Sequence, residues 1–132
     1  MAAVALDTDV ASLLIKNRLP AGLAAQLVGV QTAITFITLG ELTSWSIGRG
    51  WARRRAVLNQ WLAARPVLPG NNNVARLWGE LAGYARRRGR PRPVNDTWIA
   101  ACCITFGFAL ATLNVNDFQD YVEHEGLVLI TV

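Results

Sequence analysis

The sequence has little of several residue types on which common kinds of site depend. Among its 132 residues there is one histidine, His124, and one lysine, Lys16. A single histidine excludes a zinc site built from several imidazoles. The two cysteines, Cys102 and Cys103, are adjacent, and neighbouring cysteines can close only a strained disulfide. We expect them to be small buried side chains of a protein in a reducing compartment, the cytoplasm.

Charged residues are also scarce, at 17%, whereas hydrophobic residues make up 52% of the chain. This composition excludes disorder as a description of the whole, and the length predicts one domain that spans residues 1–132. Thirteen basic residues against nine acidic ones give a net charge of +4. That modest excess favours a polyanionic partner such as nucleic acid only weakly. The positions of the few acids are therefore more informative than the net charge.

Two uncharged stretches, between Arg18 and Glu41 and between Asp96 and Asp117, are about long enough to cross a bilayer. Both change from helical to strand character partway, and the first contains Pro20. We interpret them as buried segments of a core and expect no membrane association. No basic region precedes the apolar start, so no secretory leader is expected either.

Apolar runs typical of buried strands alternate with segments of helical periodicity. Strands are predicted at 2–6, 33–37, 108–112 and 127–131, with a further short edge strand within 65–69. Helices are predicted at 8–17, 21–30, 38–48, 51–64, 73–88 and 94–106, and a helical turn at 117–124. Thr38 and Glu41 match a capping box for the third helix. The alternation predicts an α/β fold, a three-layer α/β/α sandwich with a mostly parallel central sheet.

Four acids follow the predicted strands or begin helices beside them. Asp7 ends the first strand, Glu41 lies in the first turn after the second, and Asp117 lies in the turn after the third. Asp96 begins the helix after the basic, proline-rich loop 89–93. Because the carboxyl ends of parallel strands meet at one edge of a sheet, these four carboxylates are expected to converge there.

Gathered carboxylates are costly unless a cation neutralises them. Mg²⁺ prefers such oxygen ligands, and next to a phosphate it activates water and shields the leaving oxygen. The pattern therefore suits phosphodiester hydrolysis. Each acid also has a purely structural alternative: an N-cap for Asp7, the capping box for Glu41, the helix dipole for Asp96 and a turn for Asp117.

Four segments together resemble the PIN-domain family, and within it the VapC-type toxins of bacterial VapBC toxin–antitoxin pairs. They are LDTDV at 6–10, ITFITLGEL at 34–42, NDTWIAA at 95–101 and ATLNVNDF at 111–118. They follow the family's order and roughly its spacing across nearly the whole chain. The third and fourth segments, taken as a pair, are the most specific.

The resemblance implies a Mg²⁺- or Mn²⁺-dependent endoribonuclease that cuts structured RNA at tRNA or rRNA loops. It also implies a VapB-type antitoxin that inhibits the enzyme, and a homodimer. By position, Asp7 and Asp96 would be the principal metal ligands. Glu41 would bind the metal directly or through water and orient the attacking water, and Asp117 would complete the site.

The resemblance further implies that Thr8 and Asn114 support the site as polar neighbours. Two departures from the family pattern stand out. Asp9 occupies a place where relatives commonly have asparagine, so it could support the site or cap the first helix. The fourth acid varies in position among relatives, and Asn114 holds one of its places here, which leaves Asp117 the least fixed of the four.

Two concentrations of arginine could grip RNA phosphates, 53–55 and 86–92. The second leads directly into Asp96, and its candidate RNA contacts are Arg86, Arg87, Arg88, Arg90 and Arg92. Trp51 or Trp98 could stack on an unpaired base. The alternatives are a solvated helix face for the arginines and core or dimer packing for these tryptophans. Trp45, Trp61 and Trp78 are assigned to packing or to an antitoxin groove.

Three other functions remain open at this point. One is a PIN nuclease that processes RNA without being a toxin, and another is a catalytically silent binding module of the same fold. The third is a haloacid-dehalogenase-like phosphatase, because Asp7 and Asp9 follow a strand as in an Asp-x-Asp motif. That family also needs a downstream lysine, and Lys16 lies in the first predicted helix.

Overall fold

A computed structural model describes residues 3–132, apart from the side chains at 49, 50 and 52. Ala2, the first residue of the predicted strand 2–6, lies outside the described residues. In the described part of the chain, five parallel strands form one sheet in the order β3-β2-β1-β4-β5. They are β1 (Val4–Leu6), β2 (Thr32–Thr35), β3 (Val67–Leu68), β4 (Ala109–Ala111) and β5 (Leu129–Ile130).

The register aligns the carboxyl ends of the three central strands. Leu6 at the end of β1 pairs with Ile34 of β2 and with Ala111 of β4. The chain therefore leaves these strands at the same edge of the sheet, at Asp7, at Thr35 and at Thr112. This edge positions the residues of the candidate site.

Within residues 3–132, seven α-helices cover the two faces of the sheet. They are α1 (Thr8–Ile15), α2 (Ala21–Leu27), α3 (Phe36–Trp45), α4 (Arg55–Ala63), α5 (Asn72–Arg87), α6 (Val94–Phe106) and α7 (Val115–Glu125). A short 3-10 helix, Arg49–Arg54, precedes α4. None of these helices is long and apolar enough to cross a membrane.

Alternate residues of β1 enter two different cores, which gives the molecule its three layers. Val4 and Leu6 pack into one core with α1 to α4, whereas Ala5 packs into the other with α5 to α7. All three residues are fully or almost fully buried, so the strands are apolar on both faces, as parallel strands require. The predicted α/β/α sandwich is confirmed. Cys102 and Cys103 are buried free thiols of the second core, as expected.

The capping box at Thr38 and Glu41 is wrong. Helix α3 begins at Phe36, so the strand predicted at 33–37 ends two residues earlier. Thr35 is the N-cap, and its Oγ1 accepts a hydrogen bond from the backbone nitrogen of Thr38 at 3.2 Å. The β-branched and aromatic residues of this segment favoured a longer strand, but the local Thr35 cap and the core decided the helix start.

Other boundaries differ by a few residues. The helix predicted at 51–64 is divided between the 3-10 helix and α4, and the helical turn predicted at 117–124 is the full helix α7. Helix α6 has the predicted bounds, because Gly107 ends it in the left-handed conformation at φ 74°. The short edge strand within 65–69 is β3.

Candidate active site

The four acids singled out in the sequence line one pocket at the carboxyl edge of the sheet. This acid pocket has a volume of about 130 Å³, and Asp9 joins the four as a fifth carboxylate. The carboxylates are Asp7, Asp9, Glu41, Asp96 and Asp117. They come from the end of β1 and the starts of α1, α6 and α7, with Glu41 on α3. The tertiary structure thus brings together residues that are up to 110 positions apart in the chain.

Asp7 is the most rigidly held of these acids. It is 3% exposed and is the N-cap of α1, with Oδ1 accepting a hydrogen bond from the backbone nitrogen of Val10 at 2.8 Å. Its Oδ2 accepts a hydrogen bond from the hydroxyl of Thr112, at the end of β4. The capping role and the pocket role are therefore both present, and the contact with Thr112 was not predicted from the sequence.

A chain of threonine hydroxyls orients Glu41. Thr8 Oγ1 donates to Glu41 Oε1 at 2.6 Å and lies 2.9 Å from Thr38 Oγ1. Because the single proton of Thr8 goes to the carboxylate, Thr38 must donate to Thr8. Both threonines are buried, so this chain fixes one oxygen of Glu41 and leaves the other to the pocket. Thr8 was predicted as polar support, but Thr38 was taken only for a cap.

The remaining acids are more open to solvent. Asp96 lies half-buried in the first turn of α6, and Asp117 lies exposed in the first turn of α7. Both helix starts point positive partial charge toward the pocket. Asp9 is exposed, and its Oδ2 accepts a hydrogen bond from Nδ2 of Asn114 at 2.8 Å. This pair joins α1 to the loop before α7 at the rim of the pocket.

Crowding makes these carboxylates reluctant to ionise together. Burial raises the pKa of Asp7 to about 6, against hydrogen bonds from Thr112 and Val10 that lower it, and the negative charges of Asp9 and Asp96 raise it further. Burial also raises the pKa of Asp96 to about 6, and the charges of Asp117, Glu41 and Asp9 add to that rise. The arrangement therefore carries an electrostatic cost that a bound cation would offset.

The donor set fits Mg²⁺ or Mn²⁺, since it consists of carboxylate oxygens around a small polar pocket. Among the described residues, no three acids of the pocket place ligand atoms within 4.8 Å of one another. This spread suits Mg²⁺, which binds through one or two carboxylates and retains several waters.

A different cluster, on helix α7, does bring three ligand atoms within 4.8 Å of one another. It consists of Asp120, Glu123 and His124. Its central carboxylate, Asp120, already pairs with Arg92, which lies at 2.7 Å and lowers the pKa of Asp120. The cluster is separate from the acid pocket and shares no residue with it.

Arg92 is a structural residue, which contradicts its assignment to RNA. Its side chain is 4% exposed and pairs with Asp120 and Glu125 at 2.7 and 2.8 Å. Arg88 also approaches Asp120, at 3.6 Å. The other candidate contacts of the loop, Arg86, Arg87 and Arg90, are exposed.

The two tryptophans proposed for base stacking belong to the packing instead. Trp51 is buried, with 6% of its surface exposed. Trp98 stacks on Trp78 with ring centroids 5.0 Å apart. Trp45, which the sequence assigned to packing or to an antitoxin groove, lines the acid pocket and is 38% exposed. Sequence periodicity could not distinguish the exposed tryptophan from the packed ones, because the exposure of each ring depends on which helices pack over it.

The chain is similar to known proteins in sequence and in fold, although no family model matches it. The ribonuclease VapC1 of Haemophilus influenzae (strain R2866) is 31% identical over 118 residues, which cover 86% of this chain and 88% of the relative. The structure of VapBC-1 from nontypeable Haemophilus influenzae matches with a TM-score of 0.82 and 25% identity, over 98% of this chain and 97% of the other. VapBC-5 from Mycobacterium tuberculosis, of the VapBC family of toxin–antitoxin systems, matches over the whole of both chains with a TM-score of 0.77 and 29% identity.

The identity to VapC1 extends over most of both sequences, and the likeness in fold extends over nearly all of both structures. Family membership removes the haloacid-dehalogenase-like alternative. The chain belongs to the PIN-domain VapC family of ribonuclease toxins.

Proposed function

We propose that residues 1–132 form a single PIN-like nuclease domain that hydrolyses phosphodiester bonds in structured RNA, at tRNA or rRNA loops, with Mg²⁺ or Mn²⁺. The coarser function, an endoribonuclease of a toxin–antitoxin pair, follows from the family. The observation that carries the finer proposal is the convergence of four carboxylates, from separate elements of the fold, in one pocket.

Asp7 and Asp96 would hold the metal ion, with Glu41 and Asp117 completing the site directly or through water. A bound Mg²⁺ would neutralise the carboxylates, activate a water molecule and stabilise charge on the leaving oxygen. Asp7 contributes a carboxylate whose position is set by its hydrogen bonds to Val10 and Thr112. Such a buried, doubly held ligand costs little reorganisation during the reaction.

Glu41 would orient the attacking water with the oxygen that Thr8 leaves free. The Thr8–Thr38 chain prevents rotation of this carboxylate, so its free oxygen faces the pocket in one direction. Asp9 and Asn114, joined at the rim, would support the site without touching the reacting phosphate.

The partners of the chain are part of the proposal. The structures of the two VapBC relatives are those of toxin–antitoxin systems, and we assign a cognate VapB-type antitoxin and a homodimeric state to this chain as well. Phosphates of the RNA would contact the exposed arginines of the basic loop, Arg86, Arg87 and Arg90, with Arg88 at its edge.

The purified full chain, freed of antitoxin, should cleave RNA from a mixture of total tRNA and rRNA when Mg²⁺ or Mn²⁺ is added, and should not cleave it in EDTA. Asp7→Asn and Asp96→Asn should each reduce cleavage by at least about 100-fold, because each removes one charge that holds the metal. Glu80→Gln, which removes an exposed acid of α5, is the matched control and should cleave as the wild type does.

Sequencing of RNA ends after a brief pulse of expression would identify the cut sites. RNA that is bound but never cleaved by the wild type would overturn the nuclease proposal in favour of a silent binding module. Cleavage in EDTA, or equal cleavage by Asp96→Asn and the wild type, would overturn the four-carboxylate site.

A further inference from the structure

A second pocket opens beside the acid pocket and shares a wall with it. This Trp45 pocket has a volume of about 430 Å³ and is lined by Ser12, Leu13, Lys16 and Leu113 together with the shared residues. The shared wall consists of Asp9, Trp45 and Asn114, which line both pockets. A polymer bound with one unit at the acids would therefore place a neighbouring unit in the Trp45 pocket.

Trp45 offers the kind of surface that an unpaired base recognises. It is the last residue of α3 and is 38% exposed, whereas Trp51 is 6% exposed and Trp98 is stacked on Trp78. Any base can stack on an aromatic ring, because every base has a π face. Leu13 and Leu113 extend the apolar lining of the pocket, which suits a planar ring better than it suits a phosphate.

Lys16 supplies a positive charge to the same pocket. It is the only cation among the described residues that line either pocket. Its Nζ lies 4.8 Å from the ring centroid of the buried Trp51, and this cation–π contact restrains the ammonium group. The five neighbouring carboxylates repel an RNA phosphate, whereas the restrained ammonium group of Lys16 attracts it.

We propose that the Trp45 pocket binds a nucleotide adjacent to the scissile phosphate, with its base stacked on Trp45 and its phosphate at Lys16. The proposal rests on the function given above, since it takes RNA as the substrate and the acid pocket as the place of cleavage. In this arrangement the protein recognises RNA by base stacking next to the cut, so the nucleotide at that position must be unpaired.

The test measures binding separately from cleavage. A fluorescein-labelled, short single-stranded oligoribonucleotide is titrated with the full chain in EDTA, and its anisotropy is recorded. A set of otherwise identical oligonucleotides is also titrated. Each member of the set carries one abasic residue, at a different position from the others. For the wild type, one abasic position should weaken binding by about tenfold, because it removes the base that stacks on the aromatic ring.

Trp45→Ala should bind every member of the set equally and as weakly as the wild type binds that one abasic oligonucleotide. Trp45→Phe should keep part of the discrimination. Trp45→Leu retains apolar bulk without an aromatic face, so it tests the proposal if the alanine variant does not fold. Ile47→Ala is the matched control, since this neighbour is 76% exposed and lines neither pocket.

Lys16→Met should lower the slope of log affinity against log salt concentration by about 0.7, the value for one phosphate contact on a single strand. Arg18→Met removes a charge two residues away, outside the pocket, and should leave the slope unchanged.

Equal discrimination of the abasic set by Trp45→Ala and the wild type would overturn the proposal. So would variants of Trp45 and Lys16 that bind RNA normally but bind the purified antitoxin more weakly, because the pocket would then belong to the protein partner. If the wild type shows the Trp45-dependent effect yet cleaves no RNA with Mg²⁺, the nucleotide pocket stands and the nuclease proposal fails.

Discussion

At the scale of single residues, Asp7 has two roles with opposite demands at neutral pH. As the N-cap of α1 it stabilises the fold by accepting a hydrogen bond from Val10. As a buried member of a group of five carboxylates it resists ionisation, and its pKa rises to about 6. The fold therefore keeps a destabilising charge at this position, which is typical of a residue retained for binding.

A pH dependence of stability follows from this raised pKa. Below the ordinary value of 3.8 Asp7 is protonated in both the folded and the unfolded chain, and the stability it contributes is lost as the pH rises toward about 6. Without metal, the loss for this group amounts to roughly 3 kcal/mol. Asp7→Asn removes the titration while keeping an oxygen for Val10. Between pH 4 and pH 7 in EDTA, the free energy of unfolding of this variant should therefore rise by roughly 3 kcal/mol relative to that of the wild type.

Urea denaturation at several pH values measures this difference. Glu80→Gln, which changes an exposed acid far from the pocket, should follow the wild-type curve. Parallel curves for Asp7→Asn and the wild type would show that Asp7 ionises normally in the folded protein.

At the scale of elements, Arg92 fixes the basic loop between α5 and α6. Its guanidinium donates to Asp120 and to the backbone oxygen of Leu81, and its central carbon lies 4.2 Å from the ring centroid of Tyr121. The hydroxyl of Tyr121 in turn lies 2.8 Å from that of Thr97, the neighbour of Asp96. Arg92 thus connects α5 and α7 to the start of α6. These contacts help to set the separation of Asp96 on α6 from Asp117 on α7.

Arg92→Met should destabilise the fold by on the order of 3 kcal/mol, because it leaves partly buried carboxylates without their partner. Arg90→Met removes the same charge from an exposed position of the same loop and should change stability by less than about 0.5 kcal/mol. Chemical denaturation of the two variants measures the contrast. Equal effects would mean that the ion pairs of Arg92 contribute nothing beyond ordinary surface charge.

At the scale of the whole molecule, charge is strongly segregated. Five of the nine acids line the acid pocket, which leaves four acids against thirteen bases over the rest of the chain. The net charge of +4 is therefore the sum of a negative acid pocket and a basic remainder of the chain. A polyanion would be drawn to the surface as a whole but repelled at the pocket itself unless cations neutralise it.

Titration calorimetry with Mn²⁺ should detect binding at the acid pocket, and saturating Mn²⁺ should raise the melting temperature. Asp96→Asn should weaken this binding by at least about tenfold, since it removes one carboxylate from the donor set. His124→Ala is the control for the second cluster and should bind Mn²⁺ as the wild type does. Loss of binding in His124→Ala with full binding in Asp96→Asn would place the metal on α7 instead.

Much of this architecture could be predicted from the sequence because buried parallel strands have a simple pattern. Uninterrupted apolar runs predicted β1, β2, β4 and β5 to within a few residues. Helix α6 was predicted with its true bounds because Gly107 is a strong stop signal. The start of α3 was missed, because the β-branched and aromatic residues favoured a longer strand and Thr38 with Glu41 matched a capping box, whereas Thr35 is the cap.

The sequence by itself determined that Asp7, Glu41, Asp96 and Asp117 would meet at one edge of a parallel sheet. Asp7 follows a strand, Asp96 and Asp117 lie in the first turns of helices, and Glu41 lies on the helix that follows the second strand. Only the tertiary structure decided the groups around them: Thr112 on Asp7, Thr38 behind Thr8, Arg92 buried and Trp45 open. The physical reason is that strand order and helix packing bring distant residues into contact, and local pattern carries no information about which side chains those contacts will cover.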